Sequence, residues 1–238
     1  MHQKHASRTR QIMLSASLTA VYVILRIVPT FQMVGVPGRF TAADFLLTSI
    51  ALLAGLWGGL FTVIAGTILA FGASPPIFFG LDFLPATVDV LIATLLLSTR
   101  YRAAQIVYLV TFFAFILSPY SLLFGFYNVP YTWLHIVALL VLLSPIAPKI
   151  PVWVTSGGWR QITAIGALAF VGTMGQHLAG GLLFELTVGL IGGLKASNFM
   201  ALWRIIFWVY PIERLIIIVF TAIIALAVLR SLSRWVHT

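Results

Sequence analysis

The chain has 238 residues, of which 61% are hydrophobic and 8% are charged, and its 14 Lys and Arg against 5 Asp and Glu give a net charge of +9. A soluble domain carries roughly a quarter charged residues, so this composition excludes one and predicts a single integral membrane domain over residues 1–238. The lack of cysteine excludes disulfides, thiolate metal sites and iron–sulfur clusters, and the basic excess fits cytoplasmic loops facing anionic lipid, so no nucleic-acid partner is predicted.

The first segment is basic from Met1 to Arg10 and then apolar through Val28, with no small-residue cleavage site after it. This pattern predicts an uncleaved first helix and not a signal peptide. A membrane-spanning helix needs about 20 apolar residues. The chain is therefore predicted to be an all-α, polytopic transmembrane helix bundle of six to eight membrane segments, which run at about 11–28, 43–56, 57–71, 83–99, 104–126, 131–147, 161–190 and 205–229.

The segments at 43–71 are either one long tilted helix or two short passes broken at Gly58-Gly59. The choice determines on which side of the membrane every later loop lies. Two passes, or an equivalent re-entrant hairpin, place nine basic residues in the cytoplasm and three outside. One pass gives five inside against seven outside, so the positive-inside rule favours the first alternative. Both termini are predicted to be cytoplasmic, in a multi-pass membrane protein. The nine basic residues that two passes place in the cytoplasm are Lys4, Arg8, Arg10, Arg100, Arg102, Lys149, Arg160, Arg230 and Arg234.

In this topology all five acidic residues fall in the outer half of the membrane or just outside it: Asp44, Asp82, Asp89, Glu185 and Glu213. A carboxylate in lipid is costly and persists where a partner, a cavity or a ligand compensates. The outside loops are rich in Pro and aromatic residues, which suits lids. The acids therefore predict a polar site that opens outward.

The last segment carries Trp203, Phe207, Tyr210 and Arg214 on one helical face, with Glu213 adjacent and Pro211 predicting a kink. An aromatic stripe that ends in a cation is suited to stacking on a flat ring and holding its polar edge. The alternative is an aromatic belt whose charges pair with neighbouring helices.

Other ionisable residues recur at helical spacing. His177 and Glu185 lie two steps of four apart around Gly181, Asp82 and Asp89 are seven apart, and His135 lies at a similar depth. Asp, His and Glu are metal ligands in principle, but no tight spacing such as H-E-x-x-H occurs. Walker A and nucleophile-elbow motifs are also missing. We therefore predict no metal, no cofactor and no catalytic residues, and hence no enzyme.

Small residues mark close helix contacts. Ala51, Gly55, Gly59 and Gly66 form a smooth surface through the paired segments, and the first helix carries the A-x-x-x-A motif Ala16-Ser-Leu-Thr-Ala20. Two alanines one turn apart suit packing either inside the bundle or against a partner.

These features together resemble the substrate-binding S components of energy-coupling factor (ECF) transporters. The matching parts are the basic N-terminus with the alanine motif, the Gly-rich pair of segments from Leu52 to Gly66, and the closing run Tyr210-Pro-Ile-Glu-Arg-Leu before a long apolar helix. The resemblance implies that Ala16 and Ala20 couple to a transmembrane T subunit. It also implies a multi-pass protein of a prokaryotic plasma membrane, in which two cytoplasmic ATPase subunits drive uptake and a pocket near the outer surface binds the substrate.

The leading hypothesis is therefore the substrate-specificity subunit of an ATP-driven importer, binding a small metabolite such as a vitamin. The alternatives are an integral membrane enzyme acting on a lipid-soluble substrate and a ligand-free assembly subunit. The predicted substrate-binding residues are His177, Glu185, Trp203, Tyr210, Glu213, Arg214, Asp82, Asp89 and His135.

Overall fold

A computed structural model describes the backbone of residues 2–236 and the side chains of residues 8–231. Within this part of the chain the fold is all-α, with one short antiparallel hairpin of strands β1 (Pro29–Gln32) and β2 (Arg39–Thr41). The eight α-helices are α1 (His2–Ile27), α2 (Leu47–Ala70), α3 (Leu84–Leu97), α4 (Tyr101–Ile116), α5 (Trp133–Leu143), α6 (Ile150–Trp153), α7 (Gly158–Phe184) and α8 (Ala196–Val236).

Several of these helices are long and apolar, as a multi-pass membrane protein requires. Four helical segments of the described chain have the length and hydropathy of a membrane span, namely Arg8–Ile27, Ala42–Ala70, Gly158–Ile191 and Ala196–Ser231. A fifth results if Trp133–Leu143 and Ala147–Trp153, which are bent by 58°, count as one span. The predicted all-α fold is confirmed, and the length and composition of these helices indicate a multi-pass membrane protein.

Helix α2 reverses direction at Gly55. This glycine has φ 63° and ψ −163°, a backbone conformation that favours glycine. A Cβ atom added at Gly59 would lie 3.6 Å from Ile50 Cγ2 and 3.9 Å from the Ile50 carbonyl oxygen. In a straight helix, residues nine positions apart are separated by about 13 Å along the axis. The arms 47–54 and 56–70 therefore pack against each other as a helical hairpin.

The hairpin corresponds to the predicted re-entrant alternative, but the predicted position of its break was wrong. Gly58 and Gly59 lie inside the second arm, where they admit neighbouring helices. A Cβ at Gly58 would lie 2.6 Å from Ser15 Oγ of α1, and one at Gly59 would lie 2.7 Å from Val90 Cγ1 of α3. Although 42–70 has the composition of one span, its chain enters and leaves at the same face.

Contacts between helices fix the direction of the second arm. Ser15 of α1 lies beside Gly58, and Tyr22, about two turns further along α1, lies beside Gly66. The second arm therefore runs parallel to α1, and both end at the same side of the bundle. The loops that follow them, 28–41 and 71–83, consequently emerge together.

The remaining helices alternate in direction. Asp89 of α3 packs against Gly172 of α7, and Pro85 lies near Gly180, so α3 and α7 are antiparallel. One side of the bundle, which we call the loop face, therefore collects the loops 28–46, 71–83, 117–132 and 192–195. The opposite side, which we call the terminal face, collects the loops 98–100 and 144–157 together with both ends of the described chain.

Prolines set two helix ends that differ from the predicted segments. Helix α4 ends at Ile116, three residues before Pro119, whereas the predicted segment ran to 126. Helix α5 ends at Leu143, because Ser144 precedes Pro145 and is extended, with ψ 166°. Pro211 has no such effect, since α8 continues through it as a single helix.

The tight approach at Gly59 gives a stability prediction. Gly59→Ala is expected to destabilise the bundle by about 1–3 kcal/mol, because its new methyl group overlaps buried Val90 beside the hairpin. Gly166→Ala on α7 is the matched control, since no atom lies within 4 Å of its added Cβ and alanine favours a helix. Thermal unfolding in detergent would measure both variants. Equal melting temperatures for Gly59→Ala and the wild type would contradict the packing described.

Candidate functional site

A cavity of about 120 Å³ lies at the loop face. Since a cavity needs only about 10–15 Å³ to hold one water, the space has room for several waters or for a small metabolite. Its wall is built from the β1–β2 hairpin, the loop before α3, the last turns of α7 and the first half of α8. The charged and polar residues of the wall are Arg26, Gln32, Arg39, Asp44, Asp82, Gln176, His177, Glu213 and Arg214.

Arg214 is the most deeply buried cation of this wall, with an exposed fraction of 1%. Its guanidinium carbon lies 4.1 Å from the centre of the Phe40 ring, a cation–π contact. Glu213 Oε2 is 3.9 Å from Arg214 Nη2, an ion pair beyond hydrogen-bond distance. Among the described residues, neither Nε nor Nη2 of Arg214 has a hydrogen-bond partner. Such a buried, under-satisfied cation is costly unless a ligand completes it.

Asp44 and Gln176 form a second polar element, which joins the start of the hairpin arm to α7. Gln176 Nε2 donates a 2.7 Å hydrogen bond to Asp44 Oδ1, while the Thr41 amide lies 3.4 Å from Oδ2. The Asp44 carboxylate is therefore held at the base of a one-turn 3₁₀ helix, 42–46. The amide oxygen of Gln176 is buried and has no partner within the described chain, so this residue of the wall carries one unpaired acceptor.

Asp82 organises one of the two loops that cover the cavity. Its carboxylate accepts hydrogen bonds from the Ile77 amide at 2.9 Å and from the Phe78 amide at 3.1 Å. Both carboxylate oxygens are thus used to close the turn 77–82. Asp82 lines the cavity, but its charge serves first to hold the loop in shape.

The β1–β2 hairpin provides the other cover. Gln32 Nε2 and the Met33 amide both donate hydrogen bonds of 2.9 Å to the Gly38 carbonyl oxygen, which fixes the turn. At its tip, a Cβ on Gly35 would lie 3.0 Å from Leu202 of α8 and 3.1 Å from Phe184 of α7. The hairpin therefore rests on the helices and roofs the cavity.

Three stacked rings support the inner wall. His135 Nε2 and His177 Nδ1 are 2.9 Å apart, and Tyr210 stacks on both rings with centroid distances of 5.5 Å and 5.0 Å. The Tyr210 hydroxyl donates a 2.8 Å hydrogen bond to the carbonyl oxygen of Tyr131. His177 lines the cavity, whereas His135 and Tyr210 lie behind it and fix its ring.

The aromatic stripe predicted on the last helix is divided between two environments. Trp203 lines the cavity, and its indole N–H donates a 2.9 Å hydrogen bond to the Tyr120 carbonyl oxygen. Phe207 instead packs into the space above Gly125, whose added Cβ would lie 2.5 Å from the Phe207 ring. The stripe therefore serves both as cavity wall and as packing for the 117–132 loop.

Asp89 and Glu185 lie outside the cavity wall. Asp89 is 1% exposed, and its Oδ1 points at Gly172, where a Cβ would lie 2.5 Å away. Glu185 is fully buried at the start of a π-helical turn, 185–191, beside Ser118 and Trp203. Within the described chain, Asp89 Oδ1 and both Glu185 oxygens lack a hydrogen-bond partner. Each is a buried polar group between helices rather than part of the wall.

The structure thus brings together five of the nine predicted substrate-binding residues: His177, Trp203, Glu213, Arg214 and Asp82. The other four, Glu185, Tyr210, Asp89 and His135, do not line the cavity. Sequence reasoning missed Gln176 and Phe40, which carry no charge. It noted Asp44 as an outer-half acid but did not assign Asp44, Arg26 or Arg39 to the site.

Ala16 and Ala20 lie on an exposed face of α1. The opposite face of the helix carries the buried Ser15, Thr19 and Tyr22, which contact the second arm of the α2 hairpin or α1 itself. The alternative of packing inside the bundle is therefore wrong for this motif.

Within the described residues, no group of three or more His, Asp or Glu side chains is placed to hold a metal ion. Comparisons of the chain with protein-family models, with curated proteins and with solved structures find no match. The site is therefore interpreted from its own geometry.

The two amide contacts of Asp82 give a prediction about the loop that it holds. In Asp82→Asn one of the two acceptors is lost, and with it a charge-assisted hydrogen bond worth about 1.5–3 kcal/mol. Hydrogen exchange at the Ile77 and Phe78 amides is expected to accelerate by about 10- to 100-fold, while the Met33 amide in the other cover serves as the internal control. Unchanged exchange at residues 77 and 78 would show that the carboxylate does not hold this loop.

Proposed function

We propose that this chain is the substrate-specificity subunit, or S component, of an ECF-type ATP-driven importer, which binds a small metabolite such as a vitamin. The observation that carries the proposal is the roofed cavity at the loop face. A buried, incompletely bonded arginine, an unpaired amide oxygen and several aromatic rings border a space of metabolite size. Such a mostly apolar recess with a few convergent polar groups is the usual form of a ligand site.

Charge supports an outward orientation of this cavity. The described basic residues of the terminal face are Arg8, Arg10, Arg100, Arg102, Lys149, Arg160 and Arg230, while the acidic residues all belong to the half of the bundle toward the loop face. By the positive-inside rule, the terminal face is cytoplasmic and the cavity faces outward. In this arrangement six segments cross the membrane, the 42–70 hairpin is re-entrant, and both termini are cytoplasmic.

The first helix supports the docking of a transmembrane partner. Small side chains at Ala16 and Ala20 leave a shallow surface on the exposed side of α1, so that another helix can approach closely. The chain has no nucleotide-binding motif of its own, so the work of transport must come from ATPase subunits that act through such a partner.

The proposal is tested by expressing the full chain with and without a T subunit and a pair of ECF-type ATPases. We expect a stable complex that purifies through a tag on any one subunit, together with a small molecule retained by the isolated chain and detected by native mass spectrometry. Retention without assembly favours a membrane enzyme or a different transporter, and assembly without retention favours a ligand-free subunit. Absence of both overturns the proposal.

A substitution on α1 separates binding from assembly. Ala16→Leu is expected to weaken association with the T subunit by at least about tenfold, because the larger side chain holds the partner helix away, and to leave ligand retention unchanged. Ala201→Leu is the matched control, since Ala201 is exposed on α8 and lies outside the alanine motif. Co-purification yields would report the difference. Loss of ligand with intact assembly would reverse the roles assigned to α1 and the cavity.

A further inference from the structure

We infer that the cavity recognises a ring-bearing monocarboxylate, whose carboxylate is held by Arg214 and whose N–H or O–H donor is accepted by Gln176. The inference rests on the proposed function, because it names the chemical class of the substrate for the same cavity. The inference depends on which polar atoms of the cavity wall already have hydrogen-bond partners in the protein and which do not.

The acidic residues of the wall are largely satisfied by the protein itself. Asp82 accepts two backbone amides, and Asp44 is bonded by Gln176 and approached by the Thr41 amide. A cationic ligand would have to displace these donors. Glu213 has its charge balanced by adjacent Arg214, although at 3.9 Å the pair is loose. Asp44 and Asp82 therefore do not offer an open site for a cation, and Glu213 shares its charge with Arg214.

The basic side of the wall is different. Arg214 is 1% exposed, lines the cavity, and has two N–H-bearing nitrogens without a partner in the described chain. Phe40 lies 4.1 Å from its guanidinium carbon and offers it a ring but no hydrogen-bond acceptor. An arginine edge matches the two oxygens of a carboxylate in a bidentate pair. The unsatisfied donors of the cavity thus call for an anion.

Formal charge favours a single negative charge on that anion. The described wall contains three cations, Arg26, Arg39 and Arg214, and three acids, Asp44, Asp82 and Glu213, which sum to zero. A monocarboxylate brings the site to −1, whereas a phosphate dianion brings it to −2 beside a buried acid. Like charges in a low-dielectric site are costly, so the carboxylate is preferred over the phosphate.

The rest of the wall indicates the other end of the ligand. Phe78, Phe184 and Trp203 present aromatic surface to the cavity, together with Ile77 and Ile206. Such a surface suits a flat ring. The unpaired Gln176 oxygen accepts a hydrogen bond, so a ligand bearing an N–H or O–H group satisfies it. The class is thus a small ring with one carboxylate and at least one donor.

The test uses the full chain in lipid nanodiscs and a library with four matched arms: ring-bearing carboxylic acids, their primary amides, ring amines and phosphate esters of the same rings. Each compound retained after rapid filtration is quantified by mass spectrometry. We expect retention of carboxylic acids and exclusion of their amides. Arg214→Gln should lower the retention of those acids by about 10- to 100-fold, the loss expected for hydrogen bonds to a charged group.

Two variants control for folding and for net charge. Arg204→Gln makes the same change in charge on the same helix at an exposed residue outside the cavity wall, and its retention should match the wild type. Arg214→Lys keeps the charge but not the bidentate edge, and its loss should be intermediate. Thermal unfolding without ligand checks that each variant is folded. If Arg214→Gln is not folded, the retention measured for Arg214→Lys decides whether Arg214 binds the carboxylate.

Preferential retention of amines, amides or phosphate esters overturns the inference while leaving the importer proposal in place. Equal retention of acids by wild type, Arg214→Gln and Arg214→Lys overturns the role of Arg214. If no compound is retained, a ring-bearing monocarboxylate is the wrong substrate class. Assembly with the T subunit then decides whether the proposed function fails with it.

Discussion

The reversal of α2 at Gly55 is the constraint on which the architecture depends. It returns the chain to the face from which it entered, so that the loops after α1 and after α2 emerge side by side. Those two loops are the covers of the cavity, and Gly38 of one lies against Ile77 of the other. With a straight α2, the loops would lie at opposite ends of the bundle. The cavity would then lose one cover together with Asp82.

Several buried polar groups of the loop-face half are compatible with a membrane protein because helices and loops satisfy them. Asp82 and Asp44 receive protein donors, His135 and His177 share a hydrogen bond, and Tyr210 stacks on both rings. Among the described residues that line the cavity, Arg214 and the amide oxygen of Gln176 lack such partners. A stable fold tolerates a few such groups, and these are concentrated at functional sites because a ligand completes them. The polar groups that are bonded within the protein thus hold the site in shape, and the unpaired groups at the cavity are the ones left to bind a ligand.

How much the sequence predicts depends on the type of signal. Hydropathy and loop charge predicted a helical membrane protein and a reversal within 43–71, because both follow from transfer energies. The predicted position of that reversal was wrong. Three glycines lie within five residues, and the sequence does not distinguish them; only the fold shows which one has a positive φ. Helical spacing placed Trp203 and Arg214 together. It could not place Phe40 or Gln176, whose loop and helix meet only through long-range packing, and it did not separate Asp82 in the wall from Asp89 behind it.

Cysteine labelling tests the reversal most directly, since the natural chain has no cysteine. Pro37→Cys, Ser74→Cys and Ser156→Cys place single thiols at exposed positions in the loops after α1, after α2 and before α7. In intact cells, a membrane-impermeant maleimide should label residues 37 and 74 from outside and residue 156 only after permeabilisation. Labelling of residues 37 and 74 from opposite sides would contradict a hairpin at Gly55 and the covered cavity that depends on it.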